Sequence, residues 1–145
     1  VYWKRTSPHP MMSLFDAPNR EASCVKRSRS NTPLQSLALL NETQRIEMSR
    51  TLAERLLKET QDDNSRLDII FGLITCRAPS TKEREVCLKL LAQMKAKFKS
   101  AAAAATQLLS TGDMSRDQKL DAVEHAAWTQ VSVMLLASDL ALLLY

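Results

Sequence analysis

Glycine is nearly missing. Gly72 and Gly112 are the only two in 145 residues. Two isolated glycines cannot build a phosphate-cradling Walker loop or a dinucleotide-binding turn. No G-x-S-x-G nucleophile elbow occurs. Histidine is equally sparse: His9 and His125 stand alone, neither with a second His or Cys at zinc-ligand spacing. No Cys-x-x-Cys-His occurs, so the chain has no c-type haem attachment site. The acidic turn Asp62-Asp63-Asn64 lacks the spacing and the glycine of an EF-hand loop. Aromatics are 5% of residues, and few stand beside the basic run Lys26-Arg27-Ser28-Arg29, which matches no known nucleic-acid module. No metal ligands, no cofactor and no catalytic residues are therefore assigned to this chain. Nucleic acid is not an expected partner.

What is present favours helices. Leu, Ala, Lys and Glu are abundant, and these residues lose little freedom in a helix. Val, Ile and Tyr are few, against a large sheet. At 45% apolar and 25% charged the composition is that of an ordinary globular domain, long enough to bury roughly two-thirds of its unfolded surface. Three cysteines, Cys24, Cys76 and Cys87, cannot close a disulfide framework. One bridge plus one thiol stays open, as do three thiols. The apolar stretch 131–145 is short for a membrane span and contains Asp139, so it reads as a buried helix.

The net charge of +4 sits in one place. Residues 1–32 hold six basic residues against Asp16 and Glu21, while the remainder balances fourteen against fourteen. This arm shows no helical period and contains Pro8, Pro10 and Pro18. Its cations can steer an acidic partner, or they can pair with carboxylates and helix ends. Thr32-Pro33 then opens a first helix, with Leu34, Leu37, Ala38 and Leu40 on its apolar side. Glu42–Thr60 reads as a second, with Ile46, Ala53, Leu56 and Leu57 inward. Leu67, Ile70, Phe71 and Ile74 mark a third, after the polar turn 62–65. Ser80-Thr81-Lys82-Glu83 is a capping box for a fourth that buries Cys87, Leu90, Leu91, Met94 and Phe98. The alanine run after Ser100 either continues this helix or forms a short one of its own. Gly112 marks a stop. A last helix is expected over 115–144, central in its second half.

The expected fold is thus all-α: an irregular bundle of about five helices with an extended, largely non-helical N-terminal arm. The organisation expected is one domain over 1–145, with the arm at 1–32 and the bundle at 33–145. Val1 at the start, with no leader, reads as a piece of a longer protein. The arm carries the conspicuous polar set: Asp16, Arg20, Glu21, Arg27, Arg29, Asn31 and Gln35. Acid–guanidinium pairing in bidentate geometry can pin the arm down. The same set can instead line a polar pocket. The architectural role is the preferred one.

Three blocks of residues go further. Trp3-Lys4-Arg5-Thr6, Phe15-Asp16-Ala17-Pro18 followed by Arg20-Glu21, and Asn31-Thr32-Pro33-Leu34-Gln35 through Leu39-Leu40-Asn41 resemble a planctomycete-specific C-terminal domain of unknown function. It is found in large proteins that also carry planctomycete cytochrome c-like domains. Leu52-Ala53-Glu54-Arg55-Leu56 and Ala126-Ala127-Trp128-Thr129 followed by Leu135-Leu136 fit the same pattern. The resemblance spans nearly the whole chain, which would represent the C-terminal half of that domain. It implies an exported, extracytoplasmic protein associated with redox domains, and offers no catalytic residue to carry over.

On that basis the expected function is a non-enzymatic structural or interaction module. Its expected partners are the remainder of a larger parent protein or further copies of itself, with cytochrome c-like domains nearby. The alternative is part of an enzyme acting on polysaccharide or sulfated glycan. In that case Asp16 and Glu21 supply carboxylates, and Arg20 and Arg27 hold anions.

Overall fold

The computed structural model describes residues 8–18 and 23–142. Every regular element in these residues is a helix, as the composition predicts. There are eight rather than about five, because several are short. The chain divides into two compact units, residues 1–41 and residues 42–145.

The first unit contains α1 (Pro10–Leu14) and α2 (Pro33–Asn41). α1 was not expected from the sequence, since five residues are too few to show a period. Pro10 starts it at a position where a missing N–H costs nothing, and the His9 ring Nδ1 accepts from the Met11 amide at 3.3 Å. α2 begins as its residues imply. Thr32 Oγ1 accepts from the Gln35 amide at 3.3 Å, and Gln35 Oε1 accepts from the Thr32 amide at 3.1 Å. These are the two reciprocal bonds of a capping box. Asn41 closes the last turn by donating to the Leu37 carbonyl at 2.8 Å.

The second unit contains α3 (Thr43–Glu59), α4 (Asp63–Thr75), α5 (Thr81–Ser100), α6 (Ala102–Leu109), α7 (Ala122–Leu136) and α8 (Asp139–Leu142). α7 is its axle, packed chiefly on α3, α5 and α6 and touching α4 and α8 as well. The reason is its composition. His125 through Thr129, Val131, Ser132, Val133 and Leu135 are all buried, so no polar stripe is left to face water. Around Trp128 and Val131 gather Leu56, Ile70, Phe71, Leu91, Phe98 and Leu109. Ala53, Ala105, Ala126 and Ala127 are wholly buried among them, and such small side chains let helices approach closely. Among the described residues no helix is long and apolar enough to cross a membrane.

Some boundaries differ from the sequence reading. The polar turn at 62–65 is the first turn of α4, because the Asp62 carboxylate accepts from the Ser65 amide at 2.8 Å and caps it. Ser100 does not cap α6. It ends α5, its hydroxyl donating to the Lys97 carbonyl at 2.8 Å, and the backbone breaks at Ala101. The single helix expected over 115–144 is two, α7 and α8, and residues 115–121 precede them as irregular chain. Asp121 is the cap of α7, accepting from the Glu124 amide at 2.8 Å. The predicted capping box at Ser80–Glu83 is present. Arg77 grips the same Glu83 carboxylate with two bonds of 2.8 and 2.6 Å. With the Ser80 amide, that fork holds the carboxyl down to about 2.

Candidate functional site

Three members of the predicted arm site meet at the end of α1. Asp16 adopts the left-handed conformation, φ 57°, which Asp tolerates better than most side chains. This turn brings its carboxylate to Ser30, whose amide and hydroxyl donate to Oδ2 at 2.8 and 2.6 Å. Those two bonds, the hydroxyl first, hold the carboxyl below its ordinary value. Arg27 reaches back to the same turn. It donates from Nη2 to the Phe15 carbonyl at 2.9 Å and from Nε to the Asp16 carbonyl at 3.3 Å. Gln35 completes the knot, donating to the Leu14 carbonyl at 2.8 Å and to Ser30 Oγ at 2.9 Å.

The pairing therefore differs from the acid–guanidinium fork expected from the sequence. Arg27 serves the carbonyls that end α1, where a cation also meets the negative end of the peptide dipoles. Asp16 finds an amide and a hydroxyl instead of an arginine. Arg29 and Asn31 are exposed and take no part in this network. Arg20 and Glu21 lie outside the described residues.

The second unit holds a charged cluster that sequence reading missed. Arg66 is 2% exposed and bonds three ways. Its Nη1 reaches Asp63 Oδ1 and Glu124 Oε1, both at 2.8 Å, and Nε donates to the Thr60 carbonyl at 2.9 Å. Lys95 adds a second cation, 3.0 Å from Asp63 Oδ2 and 3.4 Å from Glu124 Oε1. Trp128 donates its indole N–H to Asp63 Oδ1 at 3.3 Å, and the guanidinium lies 5.8 Å from its ring centroid. Two cations and two carboxylates balance, so the cluster links α4, α5 and α7 without leaving a charge for a ligand.

A ladder of charges on α3 holds the connecting segment 110–121. Glu47 Oε1 accepts from the Asp113 and Met114 amides at 3.0 and 2.6 Å. Arg50 donates to the Met114 carbonyl at 2.6 Å, and Glu54 accepts from the Asp117 amide at 3.1 Å. Lys58 bridges Glu54 and Asp117 at 2.7 and 3.1 Å. These contacts, most of them made to main-chain groups, hold residues 115–117 out of the helix expected from 115 onward. A shallow groove of about 470 Å³ runs beside the ladder, lined by Met48, Thr51, Leu52, Arg55 and Met114.

Beneath the ladder His125 is completely buried. Its Nε2 lies 3.0 Å from the Arg50 carbonyl and so carries the proton. Nδ1 has no partner among the described residues. Burial first, and then the nearby Arg116 and Arg50 charges, push the imidazole below its ordinary value. The Arg50 carbonyl and the Glu54 carboxylate oppose the shift without cancelling it. A depressed histidine binds fewer protons folded than unfolded. Its contribution is thus intact above the unfolded value of 6.5 and is lost as pH falls from there toward the folded value. The expected result is a loss of at most about 2 kcal/mol by about pH 5. Urea titrations of the chain and of His125→Gln across this range check it, because only the first should lose stability on acidification.

Among the described residues no three His, Cys, Asp or Glu side chains gather as metal ligands. The three cysteines are free, Cys24 and Cys76 exposed and Cys87 buried. No curated protein and no solved structure matches the chain. Residues 1–91 match the sequence profile of PSD1, a protein of unknown function (DUF1553). The match takes in the arm, α2, α3 and α4 and stops within α5, short of the Trp128 segment. The profile covers well over half of the chain, and the chain belongs to the PSD1 (DUF1553) family, whose function is unknown.

Proposed function

We propose that this chain is a non-enzymatic assembly and docking module, with no cofactor of its own, in an exported protein of planctomycete type that also carries cytochrome c-like domains. Its partners on this reading are the rest of a parent protein or further copies of the chain. The polar arm set of Asp16, Arg20, Glu21, Arg27, Arg29, Asn31 and Gln35 is architectural, and its extracytoplasmic setting follows from the same resemblance.

One observation supports the reading above others. Asp16, Arg27 and Gln35 direct their hydrogen bonds at the Ser30 amide and hydroxyl and at the carbonyls of residues 14–16. A general acid or an anion clamp needs those same groups turned toward a substrate.

Two measurements test it. Asp16→Ala removes both Ser30 bonds, so trypsin should cut at Lys26 and Arg29 several-fold faster, since local opening exposes the backbone. An unchanged cleavage rate would show that the knot holds nothing. Neutral and sulfated polysaccharides incubated with the intact chain should release neither reducing ends nor sulfate. Release that disappears in Asp16→Asn would replace this reading with a glycan-processing one.

A further inference from the structure

The first unit is assembled unlike an ordinary small fold. Among the described residues it buries one leucine, Leu39, beside the hydrogen bonds around Asp16, Arg27 and Gln35, while several large apolar side chains point outward. Leu34, Leu37 and Leu40 on α2 are 59%, 56% and 44% exposed, and Met12 and Val25 are exposed as well. Positions spaced i, i+3, i+6 fall within a third of the helix circumference, so the three leucines form one continuous ridge. Contiguous apolar surface of this kind marks a binding face on a soluble domain.

Charge tells which partner fits. α2 has no charged residue over its nine positions and no acidic residue in its first turn. The positive end of its peptide dipoles therefore meets no carboxylate from α2 itself, and the nearby Asp16 carboxylate is already taken up by Ser30. Ser30 is bonded to Gln35 in that same turn, which keeps the neighbouring Arg29 at this end of the ridge. Lys26 and Arg29 are exposed, and neither enters an ion pair among the described residues. Residues 1–41 carry the whole +4 excess of the chain.

Resting on the docking role proposed above, we infer that the Leu34–Leu37–Leu40 ridge binds an acidic amphipathic helix. The partner's apolar stripe covers the leucines, and its Asp and Glu residues gather where it meets the first turn of α2 beside Arg29. Leucines supply the affinity by removing apolar surface from water. The charges set orientation and on-rate.

The test uses the intact chain and synthetic amphipathic helices with leucines at i, i+3 and i+7. One carries glutamates clustered at an end, and its counterpart carries lysines there. Fluorescence titration should show saturable binding of the glutamate peptide, about tenfold weaker for the lysine peptide. Affinity should fall as salt rises. Leu34→Asp with Leu37→Asp should cost at least about tenfold, with an unchanged circular dichroism spectrum, because both positions face solvent. Lys26→Glu with Arg29→Glu leaves the ridge intact and should erase the preference between the peptides. Equal binding of both peptides by the original chain, or binding of neither, overturns the inference. Self-association in sedimentation that vanishes in the leucine variant also overturns it, assigning the ridge to a second copy. Those failures leave the docking role standing, whereas glycan processing in the assay above would remove the role itself.

Discussion

Arg66→Ala is expected to destabilise the second unit by about 3 kcal/mol, the low end for breaking a buried ion pair. The guanidinium is 2% exposed, while its partners Asp63 and Glu124 are 31% and 36% exposed. Water reaches the carboxylates and softens the loss. Even so, removing Arg66 leaves both acids facing each other with Lys95 alone between them, opens space beside Trp128, and orphans the Thr60 carbonyl. Arg66→Lys should recover only part of this, because an ammonium cannot reach two carboxylates and a carbonyl in the planar fork that Arg uses. A double-mutant cycle with Glu124→Gln isolates the pair, with an expected coupling of about 1 kcal/mol. Denaturation midpoints within about 0.5 kcal/mol of the original for Arg66→Ala would mean the cluster is ornamental.

Gly112→Ala is expected to cost a similar amount, about 3 kcal/mol, for a different reason. Gly112 sits at φ 95°, where any side chain is strained by roughly 1–2 kcal/mol. A Cβ there would also press on the Glu47 carboxyl carbon and lie 2.7 Å from Glu47 Cβ. The carboxyl end can swing aside, though only by giving up the Asp113 and Met114 amides. The Cβ cannot, because it is fixed to the α3 backbone. Repeating the substitution in a Glu47→Gly background, which removes that Cβ along with the carboxylate, separates the two contributions. There only the backbone strain should remain, about half the original penalty. An undiminished penalty would place the whole effect in the φ angle and remove Glu47 from the account.

These two sites also mark where sequence reading succeeds and where it stops. Ser80–Glu83 and Thr32-Pro33 were legible because caps are local: donor and acceptor lie within one turn, and residue type nearly dictates the bond. The apolar spacing of Leu67, Ile70, Phe71 and Ile74 was legible for the same reason, since a helix face is a matter of period. Arg66 was not. In sequence it merely follows a polar turn, and its partner Glu124 lies fifty-eight positions away. The start of α7 was misplaced because the Asp117 amide is taken by Glu54 of α3, sixty-three positions earlier.

In the arm, the sequence named Asp16, Arg27 and Gln35 as residues of consequence. It proposed acid–guanidinium partners, since opposite charges are the only pairing visible in a string of letters. Ser30, which takes both bonds of Asp16, carried no such signal.

The ladder on α3 has a consequence for how this family can drift. Glu47, Arg50 and Glu54 read peptide groups in 113–117 and ignore the side chains attached to them. Most replacements at Asp113 or Met114 should therefore pass unnoticed, whatever their size or polarity. Proline is the exception, because it has no N–H to offer at either position. Sequence variability there would be the mark of a segment recognised by its main chain, with imino acids alone forbidden.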